Sequence, residues 1–437
     1  MLQTLKNAFK IKEIRRKLIY TFLMLIVVRF GANLPIPGVN TAFFAQWLAA
    51  QTGDAFNFLN AMTGGSFSSM SVFALSITPY ITSSIIIQLL TVAIPALEEM
   101  QKEGEDGRKK LQEYTRYVTV GLALLESFGM AVGFGRQGYL INYNWQSVVV
   151  AVVTMTAGSA FLMWIGERIT EKGVGNGISI ILLVNILSSI PTDFSTLYNK
   201  FMAGKSIPVA LIAAVIIVAI ILAIVVFVII LQDGERRIPV QYSKKMQGRK
   251  MVGGQSSNIP LKVNTAGVMP VIFASSLMTF PVVIAQLFNY SETSFLGKVF
   301  KMLTSSNWLN PKEPVYSIGL LIYIGLIIAF AYFYTSISFN PIEVADNMKK
   351  QGGFIPGIRP GRPTSEYLSK ILSYIVFIGA VGLIIVAVVP IIFSGIFGVS
   401  VSFGGTSLII IVGVVLETLK QIESQMLVRN YKGFLNH

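Results

Sequence analysis

The chain's 437 residues are 53% hydrophobic and 13% charged, where an ordinary globular domain carries about 25% charged residues, which excludes a water-soluble fold. With no cysteine and His437 as its single histidine, the chain cannot form disulfides or use thiolate chemistry, and most metal sites and general-base catalysis are removed, so no cofactor is expected. The net charge of +14 leaves anionic lipid or nucleic acid as partners, and its distribution decides between them.

Apolar runs of the length that a bilayer about 30 Å thick requires, roughly 20 residues, predict ten spans. The alternation of a membrane β-barrel is absent. The first span, 18–34, follows a basic stretch but runs into Asn33-Leu34-Pro35-Ile36-Pro37-Gly38 without a small-residue cleavage site, so it reads as a retained helix and not a signal peptide. Before the second, 72–94, lies Asn60-Ala61-Met62-Thr63-Gly64-Gly65-Ser66-Phe67-Ser68-Ser69-Met70, small and polar yet continuous with an apolar helix. Its two glycines cost about 1 kcal/mol each in a helix and predict a short, easily displaced one; on the residues alone, an ordinary external loop fits equally well. Spans 117–135 and 148–165 follow. The Gly173-Val174-Gly175-Asn176-Gly177 cluster lacks the lysine and preceding strand of a phosphate loop and reads as a close-packing start to the fifth span, 178–190, which is short enough to suit a re-entrant helix. The last five lie near 207–231, 267–289, 315–339, 371–390 and 404–422.

Charge decides the status of the fifth segment, because Lys and Arg accumulate in short cytoplasmic loops. If it crosses, every Lys and Arg except Arg29, Arg136, Lys200, Lys205, Lys298, Lys301 and Lys312 falls on one side. If it does not, the basic loops 232–266 and 340–370 face outward. The fifth segment therefore crosses, and both termini are expected in the cytoplasm. No inter-span segment is long enough for a soluble domain, so 1–437 reads as one membrane domain.

Matching features recur five spans apart. Ile77-Thr78-Pro79-Tyr80-Ile81 and Val268-Met269-Pro270-Val271-Ile272 sit early in spans two and seven, where proline would loosen a turn. Gly175-Asn176-Gly177-Ile178-Ser179 and Gly404-Gly405-Thr406-Ser407 open spans five and ten. Five is odd, so equivalent spans run oppositely, and 1–191 and 192–437 would form an inverted repeat of the kind many transport proteins use; Pro and Gly are also common in membrane helices generally. Charges inside the spans are few: Arg29, Glu126, and Glu417 with Lys420 near the cytoplasmic end. Glu126 reads as a partner of Arg29 or a snorkelling side chain, too little for the carboxylate relay of an ion-coupled pump, and an intramembrane enzyme would lack a nucleophile and base.

The chain carries Arg29-Phe30-Gly31 with Pro35-Ile36-Pro37-Gly38, Ile85-Ile86-Ile87-Gln88-Leu89-Leu90, Lys102-Glu103-Gly104-Glu105, Gly175-Asn176-Gly177-Ile178-Ser179, Pro260-Leu261-Lys262-Val263-Asn264, Phe339-Asn340-Pro341, Pro356-Gly357-Ile358-Arg359-Pro360-Gly361 and Phe403-Gly404-Gly405-Thr406-Ser407. In these stretches, whose order and spacing cover essentially the whole chain, it resembles the SecY family, the channel subunit of the bacterial Sec protein translocase.

The resemblance implies an all-α polytopic membrane protein, ten transmembrane helices in two inverted five-helix halves around a central pore, which carries unfolded secretory polypeptides across the bacterial plasma membrane and releases membrane helices sideways into the lipid bilayer. Segment 60–71 then resembles the plug, represented by Met62, Thr63, Gly64, Gly65, Ser66, Phe67, Ser68, Ser69 and Met70. The family's constriction ring maps onto Ile77, Ile81, Ile178, Leu182, Ile272 and Ile410, with Leu182 where isoleucine is common. An aliphatic ring offers a passing chain neither hydrogen bonds nor charges and disfavours water and ions; residue type alone would make these side chains ordinary core or lipid-facing ones. Thr82, Gln88, Asn264 and Thr265 are similar to the polar cluster of a lateral gate between spans two and seven, where interhelical bonds of about 0.6 to 2 kcal/mol are expected, and they suit helix-packing contacts equally. Arg236, Arg237, Lys244, Lys245, Arg249 and Lys250 in one loop, with Lys349, Lys350, Arg359 and Arg362 in the other, resemble the surface that docks the ribosome and the SecA motor, although such charge commonly only sets topology. Arg359, held between Gly and Pro, is the residue expected to engage the motor. The resemblance implies small SecE and SecG membrane subunits as further partners, and signal peptides and unfolded polypeptides as substrates.

Overall fold

In the computed structural model, residues 8–50, 60–136, 138–242, 245–247, 250–252, 256–287, 294–304, 308, 314–397 and 405–434 are described. The chain is built of helices α1 (Lys12–Gly31), α2 (Thr41–Ala50), α3 (Thr78–Ala93), α4 (Pro95–Lys102), α5 (Glu105–Arg136), α6 (Trp145–Lys172), α7 (Gly177–Phe201), α8 (Ile207–Asp233), α9 (Met269–Leu287), α10 (Phe295–Leu303), α11 (Ile318–Ser338), α12 (Pro341–Lys350), α13 (Arg362–Phe397) and α14 (Gly405–Phe434). Each of the ten predicted spans coincides with one of these. Among the described residues, six stretches are long and apolar enough to cross a membrane, and a seventh is the pair α3 and α4, bent by 102° at its break. The helices at the other three predicted positions are α1, α9 and α14.

The fifth span is a full-length helix. α7 runs for 25 residues straight past Pro191, because a proline inside a long helix can be tolerated where neighbouring turns absorb the lost hydrogen bond. The second span starts later than expected. Residues 70–77 are turns, with Met70 at φ 43° and Ser76 at φ 51°, and Pro79 stands in the first turn of α3, while Pro270 is the second residue of α9. Neither proline loosens a span: the missing N–H falls where no intrahelical partner exists anyway.

The two basic loops are not loops. Strands β1 (Glu235–Tyr242), β4 (Ser256–Lys262) and β5 (Gly353–Phe354) form one antiparallel sheet in the order β4-β1-β5, with Ile238 opposite Ile259 and Gln241 opposite Phe354. Between β1 and β4, β2 (Lys245–Gln247) and β3 (Lys250–Val252) pair as a hairpin. Alternation along β1 buries Ile238 and Val240, which join Leu261, Met348, Ile355, Leu368, Ile371 and Ile375 in a core of their own. This core fastens the two loops to each other and to the start of α13.

Candidate functional site

The starts of α3 and α7 contribute side chains to one apolar cluster. At the α6–α7 turn, a Cβ on Gly177 would lie 2.0 Å from the Gly166 carbonyl oxygen, so only glycine lets α7 start there. Asn176 caps the helix, its Oδ1 accepting from the N–H groups of Ile178 and Ser179 at 3.1 and 3.4 Å, which satisfies two donors that a helix start leaves open. Ile178 and Leu182 then lie one turn apart on one face. Ile77 and Ile81 have the same spacing at the start of α3, where Ile77 is the N-cap.

These four side chains meet Ile272 of α9 and Ile410 of α14 in a single apolar cluster with Met62 of the 60–70 segment. Ile77, Ile81, Leu182, Ile272 and Ile410 are buried, and Ile178 is half-buried against them. Burying a side chain of this size is worth about 1.5–3 kcal/mol. The cluster is therefore a stable apolar junction of four helices, with no hydrogen-bonding group belonging to any of its six ring candidates.

The segment over this junction is one helical turn at 60–63 followed by a series of turns to 77. Met62, Thr63, Ser66, Phe67 and Met70 are buried; Gly64 and Gly65 take the left-handed conformation at φ 66° and 84°. Asn60 Oδ1 accepts from the N–H of Ser68 at 3.0 Å, and the hydroxyls of Ser68 and Ser69 donate to the Gly65 carbonyl at 2.8 and 3.0 Å. The coil is thus closed by its own side chains. Phe67 inserts among Phe44 of α2 and Phe134 of α5, edge to face, at 5.5 and 6.3 Å between ring centroids.

Arg29 finds its acceptor in this segment and not in a carboxylate. Its Nη1 donates to the Gly64 carbonyl at 3.1 Å, and it forms no ion pair with Glu126 among the described residues. Sequence gave no sign of this, since the acceptor is main chain. Asn185, a lone amide in the apolar run of α7, donates to the Met62 carbonyl and to Ser76 Oγ, both at 3.2 Å, and its position amid aliphatic residues was the one available signal. Lys420 pairs with Asp233 of α8 at 2.5 Å and so serves the α8–α14 junction.

The polar residues near α3 and α9 are not joined across the helices. Thr82 donates to its own helix at the Thr78 carbonyl, 3.1 Å away, Gln88 to Ser84 Oγ at 3.4 Å, and Thr265 to the Lys262 carbonyl at 2.9 Å. Asn264 Nδ2 is buried with no hydrogen-bond partner among the described residues. The expected interhelical bonds are absent among these four residues because Thr and Gln in a helix reach carbonyls or hydroxyls one turn back more cheaply than a neighbouring helix. Tyr80 and Ile85 of α3 belong to the same apolar cluster as Ala266, Met269 and Phe273.

On the sheet, Arg236 and Arg237 are exposed, Arg237 pairing with Glu235 at 2.6 Å. Lys349 and Lys350 end α12, also exposed. Arg359 is exposed on a turn whose Gly357 and Gly361 sit at φ 83° and 100°, and the buried Thr364 hydroxyl donates to the Arg359 carbonyl at 2.8 Å. Arg362 pairs with Glu366 at 3.0 Å. Lys245 and Lys250 lie in the β2–β3 hairpin, whereas Lys244 and Arg249 lie outside the described residues. Pairing of β1 with β5 places Arg236, Arg237 and the Arg359 turn on one folded unit.

The SecY family model matches residues 71–419. Protein translocase subunit SecY of Halalkalibacterium halodurans is 44% identical over 442 residues, with 100% of each chain covered, and that of Streptomyces galbus is 45% identical over 450 residues, again with 100% of each covered. Among solved structures, a protein-conducting channel aligns with a TM-score of 0.62 at 16% identity, covering 94% of this chain and 93% of that one. Sec61 from the canine ribosome-channel complex of the endoplasmic reticulum aligns with a TM-score of 0.59 at 14% identity over 94% and 93%. Those two speak for the fold, and the sequence relatives settle the family: the chain belongs to the SecY family.

Proposed function

We propose that the chain is a protein-conducting channel of the plasma membrane, through which unfolded polypeptides pass and from which apolar helices leave sideways between α3 and α9. The observation that carries this reading is the apolar junction: six aliphatic side chains from four helices converge beneath a coiled segment that hydrogen-bonds chiefly to itself. A solute transporter needs convergent polar groups to recognise its substrate. A conduit for every sequence needs their absence at its narrowest point. The six residues Ile77, Ile81, Ile178, Leu182, Ile272 and Ile410 act as a gasket around the passing chain, and residues 62–70 act as the plug that rests on them.

In this reading 1–191 and 192–437 are the two halves of an inverted repeat, both termini are cytoplasmic, and the channel works with small SecE-like and SecG-like subunits. Energy comes from SecA or from elongation at the ribosome. The exposed arginines and lysines of the β4-β1-β5 unit, with Lys349, Lys350, Arg359 and Arg362, bind the motor and the phosphate backbone of ribosomal RNA, where each neutralised phosphate releases counterions. A gate held by apolar packing instead of hydrogen bonds suits sideways release, since an apolar signal helix can replace those contacts in kind.

The test is reconstitution in vesicles with the small subunits, SecA and ATP, followed by protease treatment. A secretory precursor should become protected. Failure of protection at any motor concentration, with a folded channel, would overturn the reading.

A further inference from the structure

The carbonyls of the plug segment are held at three points: Met70 by the N–H of Ile36, Gly64 by Arg29 Nη1 together with Ser188 Oγ of α7, and Met62 by Asn185, and they differ in what else they touch. Asn185 grips the Met62 carbonyl with one N–H and, with the same Nδ2 amide, the hydroxyl of Ser76, one residue before Ile77 at the start of α3. Ser76 is in the left-handed region at φ 51°, a conformation that costs energy for a residue with a Cβ and persists only where its surroundings enforce it. Its carbonyl is fixed as well, accepting from Ser159 Oγ at 3.2 Å. Gly64 has no room for anything larger, since a Cβ would lie 2.6 Å from Arg29 Nη1 and 2.9 Å from Asn185 Cα.

We infer that Arg29 and Asn185 form a latch on the plug backbone, in which Arg29, beside Ser188, retains the plug at Gly64 while Asn185 ties the seated plug to the first turn of the gate helix α3. The inference rests on the channel reading. Because both acceptors are carbonyls, the latch takes no account of plug side chains, and an incoming extended chain offers the same acceptors. The latch therefore opens by exchange of one carbonyl for another. When the Met62 carbonyl leaves, Asn185 no longer links Ser76 to the plug, so the strained entry to α3 is uncoupled from the plug's position.

The chain's lack of cysteine allows a clean two-reporter experiment on the full complex in vesicles. A cysteine at Ser68 reports plug exposure through its labelling rate with an impermeant maleimide from the outer side; cysteine pairs scanned along α3 and α9 report gate separation through crosslinking yield. Arg29→Ala should raise plug labelling about tenfold, the shift expected from loss of a hydrogen bond to a charged group, with gate crosslinking unchanged. Ser76→Ala should change gate crosslinking with labelling unchanged. Asn185→Ala should change both, and so should Gly64→Ala, whose Cβ would press on Arg29 Nη1 and on Asn185 together. Unaltered labelling in Arg29→Ala, or an Asn185→Ala effect confined to one reporter, overturns the latch. If Asn185→Ala proves unstable, Ser76→Ala and Arg29→Ala still separate the two arms. Both reporters are read at rest, without precursor or motor, so they stand whether or not the export assay succeeds.

Discussion

The 60–70 segment and the β4-β1-β5 sheet unit are stabilised in opposite ways. Around the segment, side chains are buried and their polar groups spend themselves on nearby main chain, as with Arg29 on Gly64 and Asn185 on Met62. On the sheet unit, a small apolar core of Ile238, Val240, Leu261 and Leu368 does the holding, and the charges stand outside it, paired locally or unpaired. The difference separates structure from function on the two faces. On the proposed function, a change in the 60–70 segment should alter the resting state of the channel itself, while a charge change on the sheet should alter what the channel binds and leave it folded.

The largest expected effect is on the sheet. Arg359→Glu should abolish SecA-driven export in vesicles, with the melting temperature in detergent unchanged, because the side chain is exposed and the turn is kept by Thr364, Gly357 and Gly361. Normal export would remove Arg359 from the docking surface. Next comes the 60–70 segment: deleting 62–70 removes Phe67 from its aromatic site and Met62 from the junction, and resting ion conductance should rise. An unchanged conductance in planar bilayers would show that the aliphatic ring closes the pore unaided.

How much of this contrast could be read from sequence follows the same division. Hydropathy and loop charge place ten helices because lipid imposes one rule on every span, and the ring positions followed from family resemblance, not from residue type, since isoleucine is ordinary in membranes. The sheet was missed because its strands are short and because β5, which pairs with β1 through Gln241 and Phe354, lies far beyond it in sequence, a pairing that local pattern cannot report. The hydrogen bonds expected at the gate differ for a related reason: Thr82 and Gln88 have the composition of interhelical contacts, and nothing in composition says that their hydroxyl and amide turn back on their own helix. Asn185 and Arg29 were visible as polar residues in apolar surroundings, but their acceptors are carbonyls, which every residue carries.

Stability measurements sharpen the comparison at intermediate size. Leu368→Ala, in the core beneath the sheet where the side chain is fully buried, should cost about 2–5 kcal/mol, as large-to-small changes in packed cores do. Ile77→Ala, equally buried at the ring, should cost a comparable amount and also raise resting conductance. A thermal shift for Leu368→Ala no larger than that of a surface substitution would mean that the sheet unit is not a packed body.

The smallest expected effect on stability is at Arg362. Its pair with Glu366 spans 3.0 Å, but the two side chains keep 90% and 67% of their exposure, and water and salt screen such a pair. Arg362→Ala should leave the melting temperature where it is. If the guanidinium instead serves a phosphate of ribosomal RNA, its loss weakens binding and lowers the slope of log affinity against log salt by about one. Titrating ribosomes against vesicle-embedded channel at several salt concentrations separates these outcomes. A changed slope with unchanged stability places Arg362 among the docking charges. A fall in melting temperature with an unchanged slope makes Arg362 a structural member of the sheet unit, and the division between a self-sufficient fold and an outward-facing charge would fail at that residue.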